Sequence, residues 1–173
     1  MDERSGWREL SPADLDAVAG AGGSVAAALA WVEMVLDGRI AESWPVTGPG
    51  FRLHLARHWA WNHRFALHDA GEDPLEAATG LADRGPAHRL WPAFARSQAP
   101  PDRPGTGHAG WVCAAPPEPV GPDLEVVRLA AAECAGTGRT VPPLTLVLRL
   151  GPGGWLVEGH GRAPAQPRWP PCQ

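Results

Sequence analysis

The sequence predicts one α+β domain, with helices in its first half and an antiparallel sheet in its second half. Three observations indicate this fold class. Before residue 97, apolar side chains recur at helical spacing. After residue 110, they alternate in short runs that are typical of strands. Between the halves, residues 98–109 are too rich in Pro and Gly to form a regular element.

A length of 173 residues is that of one ordinary domain. We therefore expect a single unit over residues 11–160 between two tails. The predicted segments are a flexible tail over 1–10, helices over 11–97, a linker over 98–109, a sheet over 110–160 and a Pro-rich tail over 161–173.

Capping residues mark the first two helices. Ser11 followed by Pro12 predicts the start of a short helix. Ser24 caps a second helix over residues 25–37, and Gly38 ends it. Because apolar residues occur almost all round this segment, we expect it to be the central helix.

Three more helices are predicted from the spacing of apolar residues. The third helix covers residues 51–65, and two shorter helices cover 73–83 and 88–97. The apolar positions that share one face of the third helix are Phe51, Leu55 and Trp59.

The second half of the chain predicts strands. A short strand is expected at Trp111, a longer one over 124–132, and the clearest over 144–150, where Leu occupies every second place. The Gly-rich turn at 151–154 leads into a strand over 155–158, so these last two strands form a β-hairpin.

Composition excludes several functions. The formal net charge is −4 and no basic stripe runs along the chain, so we expect no nucleic-acid partner. The longest apolar run is too short to cross a bilayer, and the charged start of the chain is not a signal peptide. Three widely spaced Cys are typical of a reduced, cytoplasmic protein. Basic residues that are all Arg indicate a GC-rich bacterial genome.

The order of elements resembles the cone-shaped superfamily of nuclear transport factor 2, ketosteroid isomerase and the SnoaL-like cyclases. The segments that match are AALAWVEMVLDGR, FRLHLARHWAW and LTLVLRLGPGGWLVEGHG, within residues 24–160. The resemblance implies a curved sheet wrapped on a long helix, a pocket at the wide end and pairing of two subunits. The chain departs from the family pattern because no strand is predicted between its second and third helices. The fold hosts both enzymes and binding modules, so it implies no reaction.

Three residues are candidate catalytic bases. Glu33 and Asp37 are four residues apart on the central helix, where burial would raise a carboxyl pKa. The same pair also fits a solvated stripe. His63 lies near the end of the third helix and could face the pocket. His54 and His58 share a helix face but lack a third ligand, so we predict no metal site.

Five further residues are candidate ligand-binding groups. Aromatic or charged side chains at these positions could line a pocket or stabilise an anion: Trp59, Arg52, Arg64, Trp111 and Glu125. On the last strand, strict alternation predicts that Glu158 and His160 share one face. That face could line a pocket mouth or be an outer face, and we favour the outer face.

The sequence leaves two main functions open, beside a weaker third one, an accessory protein that docks on a larger assembly through its tails. The first is a non-catalytic binding module that holds a small apolar ligand or a protein partner, since nine Trp occur without a convergent acid–base set. The alternative is a cofactor-independent isomerase, dehydratase or cyclase that acts on a small hydrophobic substrate. Neither needs a cofactor, and a homodimer is expected from the resemblance.

Overall fold

The computed structural model describes residues 23–98, 110–131 and 143–171. It confirms the α+β class, with helices in the first half and an open, five-stranded antiparallel sheet in the second. The short helix predicted at Ser11, the tail over 1–10 and the 99–109 part of the linker lie outside the described residues.

Six α-helices form the first half of the described chain. They are α1 (Ser24–Leu36), α2 (Ile40–Ser43), α3 (Pro49–Asn62), α4 (Arg64–Asp69), α5 (Pro74–Arg84) and α6 (Trp91–Gln98), with a 3₁₀ turn at Gly85–Ala87 between the last two. Local capping explains where α5 begins: the Asp73 carboxylate accepts hydrogen bonds from the backbone N–H groups of Leu75 and Glu76, and Pro74 occupies the first turn.

The third predicted helix is divided in two. The prediction of one helix over 51–65 is wrong at its end, because α3 ends at Asn62 and α4 begins at Arg64. The His63 ring lies 2.8 Å from the Trp59 carbonyl oxygen, and an Arg64 N–H donates to the Trp61 carbonyl at 2.9 Å. These side chains occupy carbonyls in the last turn of α3, which favours a helix end there.

The sheet contains β1 (Trp111–Cys113), β2 (Glu118–Pro119), β3 (Leu124–Ala131), β4 (Leu144–Gly151) and β5 (Gly154–His160). The strand order is β1-β3-β4-β5, and β2 pairs with β3 beside β1. The predicted hairpin is confirmed: β4 and β5 pair tightly around a turn in which Gly154 has a φ of 113°. Beyond β5, Thr47 forms a parallel bridge with Val157 and covers that edge.

A β-bulge in β5 changes which side chains face the helices. Leu148 pairs with Val157, yet the next pair is Val147 with Gly159, so Glu158 is the extra residue. His160 consequently pairs with Leu146, a core residue, and shares its face of the sheet. The prediction that Glu158 and His160 share one face is therefore wrong.

Two cores hold the fold together. One lies between α1 and the sheet, and it includes Val32, Phe51 and Leu146. The other lies among the helices, where Trp44, Trp59 and Trp91 surround Phe94. Aromatic edge-to-face contacts of this kind stabilise a core beyond the area that they bury.

The C-terminal segment, residues 161–171, runs along α3. The His54 ring lies 3.4 Å from the Gln166 carbonyl oxygen, an Arg57 N–H donates to the Pro167 carbonyl, and Trp61 meets Trp169 edge-on at 5.5 Å. Because these three helical residues are spaced by about one turn, the segment follows one face of α3.

Candidate functional site

An apolar cleft opens between α1 and one end of the sheet, with a volume of about 440 Å³. Its walls come from the C-terminal half of α1, from β1, from the start of β4 and from the end of β5. The lining residues are Trp31, Val32, Val35, Leu36, Trp111, Pro143, Leu144 and His160. A volume of this size is typical of sites for small molecules.

The cleft forms because the apolar surface of α1 extends past the part of the helix that packs in the core. Val32 is buried in the core, whereas Val35 is half-buried and Leu36 is exposed at the end of the helix. The end of α1 thus overhangs the sheet where Leu144 begins β4. Seven of the eight lining side chains carry no charge and no polar group apart from indole N–H groups, so an occupant would meet mainly hydrocarbon and aromatic surface.

Trp31 is held rigidly in the wall of the cleft. Its indole Nε1 donates to Thr47 Oγ1 at 2.9 Å, and that hydroxyl donates to the Ser43 carbonyl at 2.8 Å. All three residues are buried. A buried indole N–H with its partner in place leaves the ring little freedom, so this wall is formed before any ligand arrives.

Of the described residues that line the cleft, His160 is the one with a titratable side chain. The bulge in β5 directs it to this face, where its ring meets Phe51 edge-on at 5.1 Å and Trp31 at 5.8 Å. Within the described parts of the chain, neither ring nitrogen has a hydrogen-bond partner. The side chain stays open to solvent at the mouth of the cleft.

The surroundings of His160 disfavour its charged form. Burial of the ring among apolar neighbours lowers its pKa below 6.5, and positive charge on nearby His54 lowers it further. At neutral pH the imidazole is therefore uncharged, with one nitrogen as donor and the other as acceptor. Such a group can hydrogen-bond a polar atom or exchange a proton with it.

The three predicted catalytic residues lie away from the cleft. Glu33 is exposed on α1, and Asp37 is exposed just after the end of that helix, where it pairs with Arg39 at 3.5 Å. His63 is exposed between α3 and α4, where its ring stacks on Trp59 at 4.7 Å between centroids. No two of these three residues come together at one cavity among the described residues.

The predicted ligand-binding residues are dispersed, and only Trp111 lines the cleft. Trp59 is buried in the helical core. Arg52 is half-buried on α3. Arg64 lies over the rings of Trp61 and Phe65, at 4.5 and 4.4 Å from their centroids. The Glu125 carboxylate accepts a hydrogen bond from the buried Ser24 hydroxyl at the start of α1.

A second depression, of about 510 Å³, runs along α5. It is lined by residues of that helix alone, among them Glu76, Asp83 and Arg84. The first two are exposed acids, and the described residues that line the depression with them all belong to α5. Although this depression is larger, the cleft at α1 is the better candidate because four separate elements build it.

Sequence reasoning left His160 open between a pocket mouth and an outer face and favoured the outer face, because its position depends on the bulge. The residues around Glu158 do not identify it as an extra residue in the strand. A regular strand and a strand with a bulge are both compatible with this sequence. The one available signal is the pair of Gly residues that flank His160, which predicts local irregularity.

No three His, Cys, Asp or Glu side chains among the described residues are grouped so that they could hold a metal ion. In the same parts of the chain, each helix is too short or too polar to pass through a membrane. No protein-family model, no curated protein and no solved structure matches this chain.

Proposed function

We propose that this protein is a binding module for a small, mainly apolar molecule, which it holds in the cleft between α1 and the sheet. The observation that supports this most directly is the lining of the cleft: two Trp and five aliphatic or Pro side chains, with His160 at the mouth. Burying apolar ligand surface against such walls contributes about 25 cal/mol per Å². The volume of about 440 Å³ suits a small molecule.

Binding of an uncharged fluorescent probe, N-phenyl-1-naphthylamine, tests this proposal. We expect saturable fluorescence enhancement by the wild-type protein and its loss in Leu36→Trp, because Leu36 lines the cleft and a larger side chain there fills it. Leu150→Trp is the matched control, since Leu150 is exposed on the sheet and does not line the cleft. Equal binding by all three proteins would refute the proposal.

The same cleft supports a second candidate function, cofactor-independent proton transfer on a small hydrophobic substrate. One observation favours it: an imidazole with a lowered pKa faces apolar walls, the environment in which a base is effective near neutral pH. His160 would then be the base, since the predicted bases Glu33, Asp37 and His63 lie elsewhere. Deuterium exchange at the α-carbon of 2-tetralone, followed by NMR, tests it. Exchange at the buffer rate would refute this candidate.

The proposal includes the plan of the nuclear-transport-factor-2-like superfamily and assembly into a homodimer. What supports it is the order of elements, with helices packed on a following antiparallel sheet. A monomer in light scattering at all concentrations would refute the dimer and leave the ligand site standing.

A further inference from the structure

The polarity of the cleft is concentrated at one point. Among the described lining residues, His160 is the one with a titratable group, and the indole N–H groups of Trp31 and Trp111 are the other polar groups. The Trp31 N–H is already bonded to Thr47. Among the described residues, no Arg, Asp or Glu lines the cleft. An ionised ligand would lose hydration here without meeting an opposite charge, and that desolvation opposes binding.

The position of His160 favours a ligand that can hydrogen-bond the imidazole nitrogens. Trp31 and Phe51 pack on its ring edge-on, and its nitrogens have no partner in the described residues. Because the His160 side chain is exposed, solvent water can hydrogen-bond these nitrogens. A purely apolar ligand that displaces this water leaves a donor and an acceptor unpaired, which weakens its binding. A hydroxyl group avoids this loss because it is both donor and acceptor.

We propose that the cleft selects molecules with an aromatic or otherwise apolar body and one uncharged hydroxyl group, and that the His160 ring binds this hydroxyl at the mouth. This inference rests on the proposed binding function and names its ligand class. The apolar body lies between Trp31, Trp111 and the end of α1, and the hydroxyl points towards solvent. His54, on α3, is the one titratable group whose charge acts on the ring.

Three probes with one ring system separate the possibilities: naphthalene, 2-naphthol and 2-naphthoate. Equilibrium dialysis of the full chain at pH 7.5 measures the affinity of each. We expect 2-naphthol to bind about 3- to 10-fold more tightly than naphthalene, the range of one net hydrogen bond. We expect 2-naphthoate to bind at least about 10-fold more weakly than 2-naphthol, since its charge is desolvated without a partner.

The substitution His160→Phe tests the assigned group. Phe keeps the ring packing on Trp31 and Phe51 but removes both nitrogens, so the affinities for 2-naphthol and naphthalene should become equal while naphthalene still binds. His68→Phe is the matched control, because His68 is on α4 with 86% of its side chain exposed. This variant should keep the wild-type preference.

The outcomes distinguish the two proposals. If none of the three probes binds, the proposed function fails together with the ligand class. If all bind equally well, or if 2-naphthoate binds most tightly, the cleft is a binding site but the inference about the hydroxyl is overturned. A preference for 2-naphthol that persists in a folded His160→Phe protein overturns the role of His160.

Discussion

The indole Nε1 of Trp31 donates a hydrogen bond to Thr47 Oγ1 at 2.9 Å, and both residues are buried. This bond links a wall of the cleft to the segment that closes the edge of the sheet, since Thr47 also bridges to Val157 of β5. Helix α1, the cleft and the last strand are therefore coupled through one residue, Thr47, by its hydroxyl to Trp31 and by its backbone to β5.

Replacing Thr47 with Val should destabilise the protein. Val has nearly the same shape but leaves the buried Trp31 N–H without a partner, at a cost of about 1–3 kcal/mol. Chemical denaturation followed by circular dichroism measures the change in the free energy of unfolding. Thr79→Val is the control, because Thr79 is exposed on α5 and its hydroxyl bonds only the Leu75 carbonyl. A loss at Thr47 no larger than that at Thr79 would contradict the coupling.

Replacing Trp169 with Ala should also destabilise the protein, by about 1–3 kcal/mol, although Trp169 lies in the Pro-rich C-terminal segment. Its ring packs on the helical core and meets Trp61 edge-on at 5.5 Å, so truncation removes buried apolar area and an aromatic contact. The comparison is Arg168→Ala, whose exposed side chain bonds only its neighbour Gln166. If thermal unfolding shows the two variants to be equally stable, the segment does not stabilise α3.

Adding a methyl group at Gly48 should lower the stability of the protein. A Cβ there would lie 2.6 Å from the Glu158 carboxyl carbon, so Gly48→Ala must displace a buried carboxylate from the N-terminal end of α3. Overpacking of this kind costs about 1–3 kcal/mol, and the displaced negative charge also loses its favourable place at a helix N-terminus.

Gly153→Ala is the matched control for that experiment. A Cβ at Gly153 meets nothing within 4 Å, and the residue does not have a positive φ, so the change should be neutral or slightly stabilising. Denaturant midpoints of the two variants compare them directly. Equal midpoints would show that Glu158 moves aside without cost.

Stability should fall as the pH drops below about 6.5. Burial lowers the pKa of both His160 and His88, and positive charge on His54 and Arg84, respectively, adds to the effect. Between the lowered folded-state pKa and the ordinary value of 6.5, the unfolded chain binds more protons than the folded chain. Acid therefore favours unfolding over this window, and the loss levels off below the folded-state pKa.

Proton NMR of the imidazole C–H groups measures these titrations directly, with His160→Phe to assign one of the signals. We expect the signals of His160 and His88 to titrate below 6.5. A midpoint at or above 6.5 for His160 would mean that its ring is better solvated than its contacts with Trp31 and Phe51 indicate.

Local signals in the sequence were sufficient for most of the fold. Apolar periodicity placed α1 and the longer strands to within one to three residues, and the turn before Gly154 identified the hairpin. β2 was not predicted, since Glu118 and Pro119 carry no strand pattern and pair with β3 only in the folded chain. Similarly, the break at His63 depends on side-chain bonds to carbonyls that are not visible in residue spacing.

The cleft could be predicted only in part. Trp111 was a candidate from its aromatic side chain, and it lines the cleft. Glu33 and Asp37 were candidates because they lie on an apolar helix, but helical rotation places them in solvent. Which residues meet across the cleft depends on the packing of α1 against β4 and β5, which are more than a hundred residues away in sequence. Spacing along one segment does not contain that information.

The bulge in β5 has a consequence for how this strand can change length. An extra residue inserted into a regular strand normally reverses the facing of every side chain that follows it. Here the extra residue, Glu158, projects towards Gly48 at the start of α3, and pairing resumes with Gly159 opposite Val147. A chain that lacked Glu158 would form the regular ladder with His160 still opposite Leu146. A relative one residue shorter at this point would thus keep the same cleft, and sequence comparison should allow a gap there when it aligns the histidine.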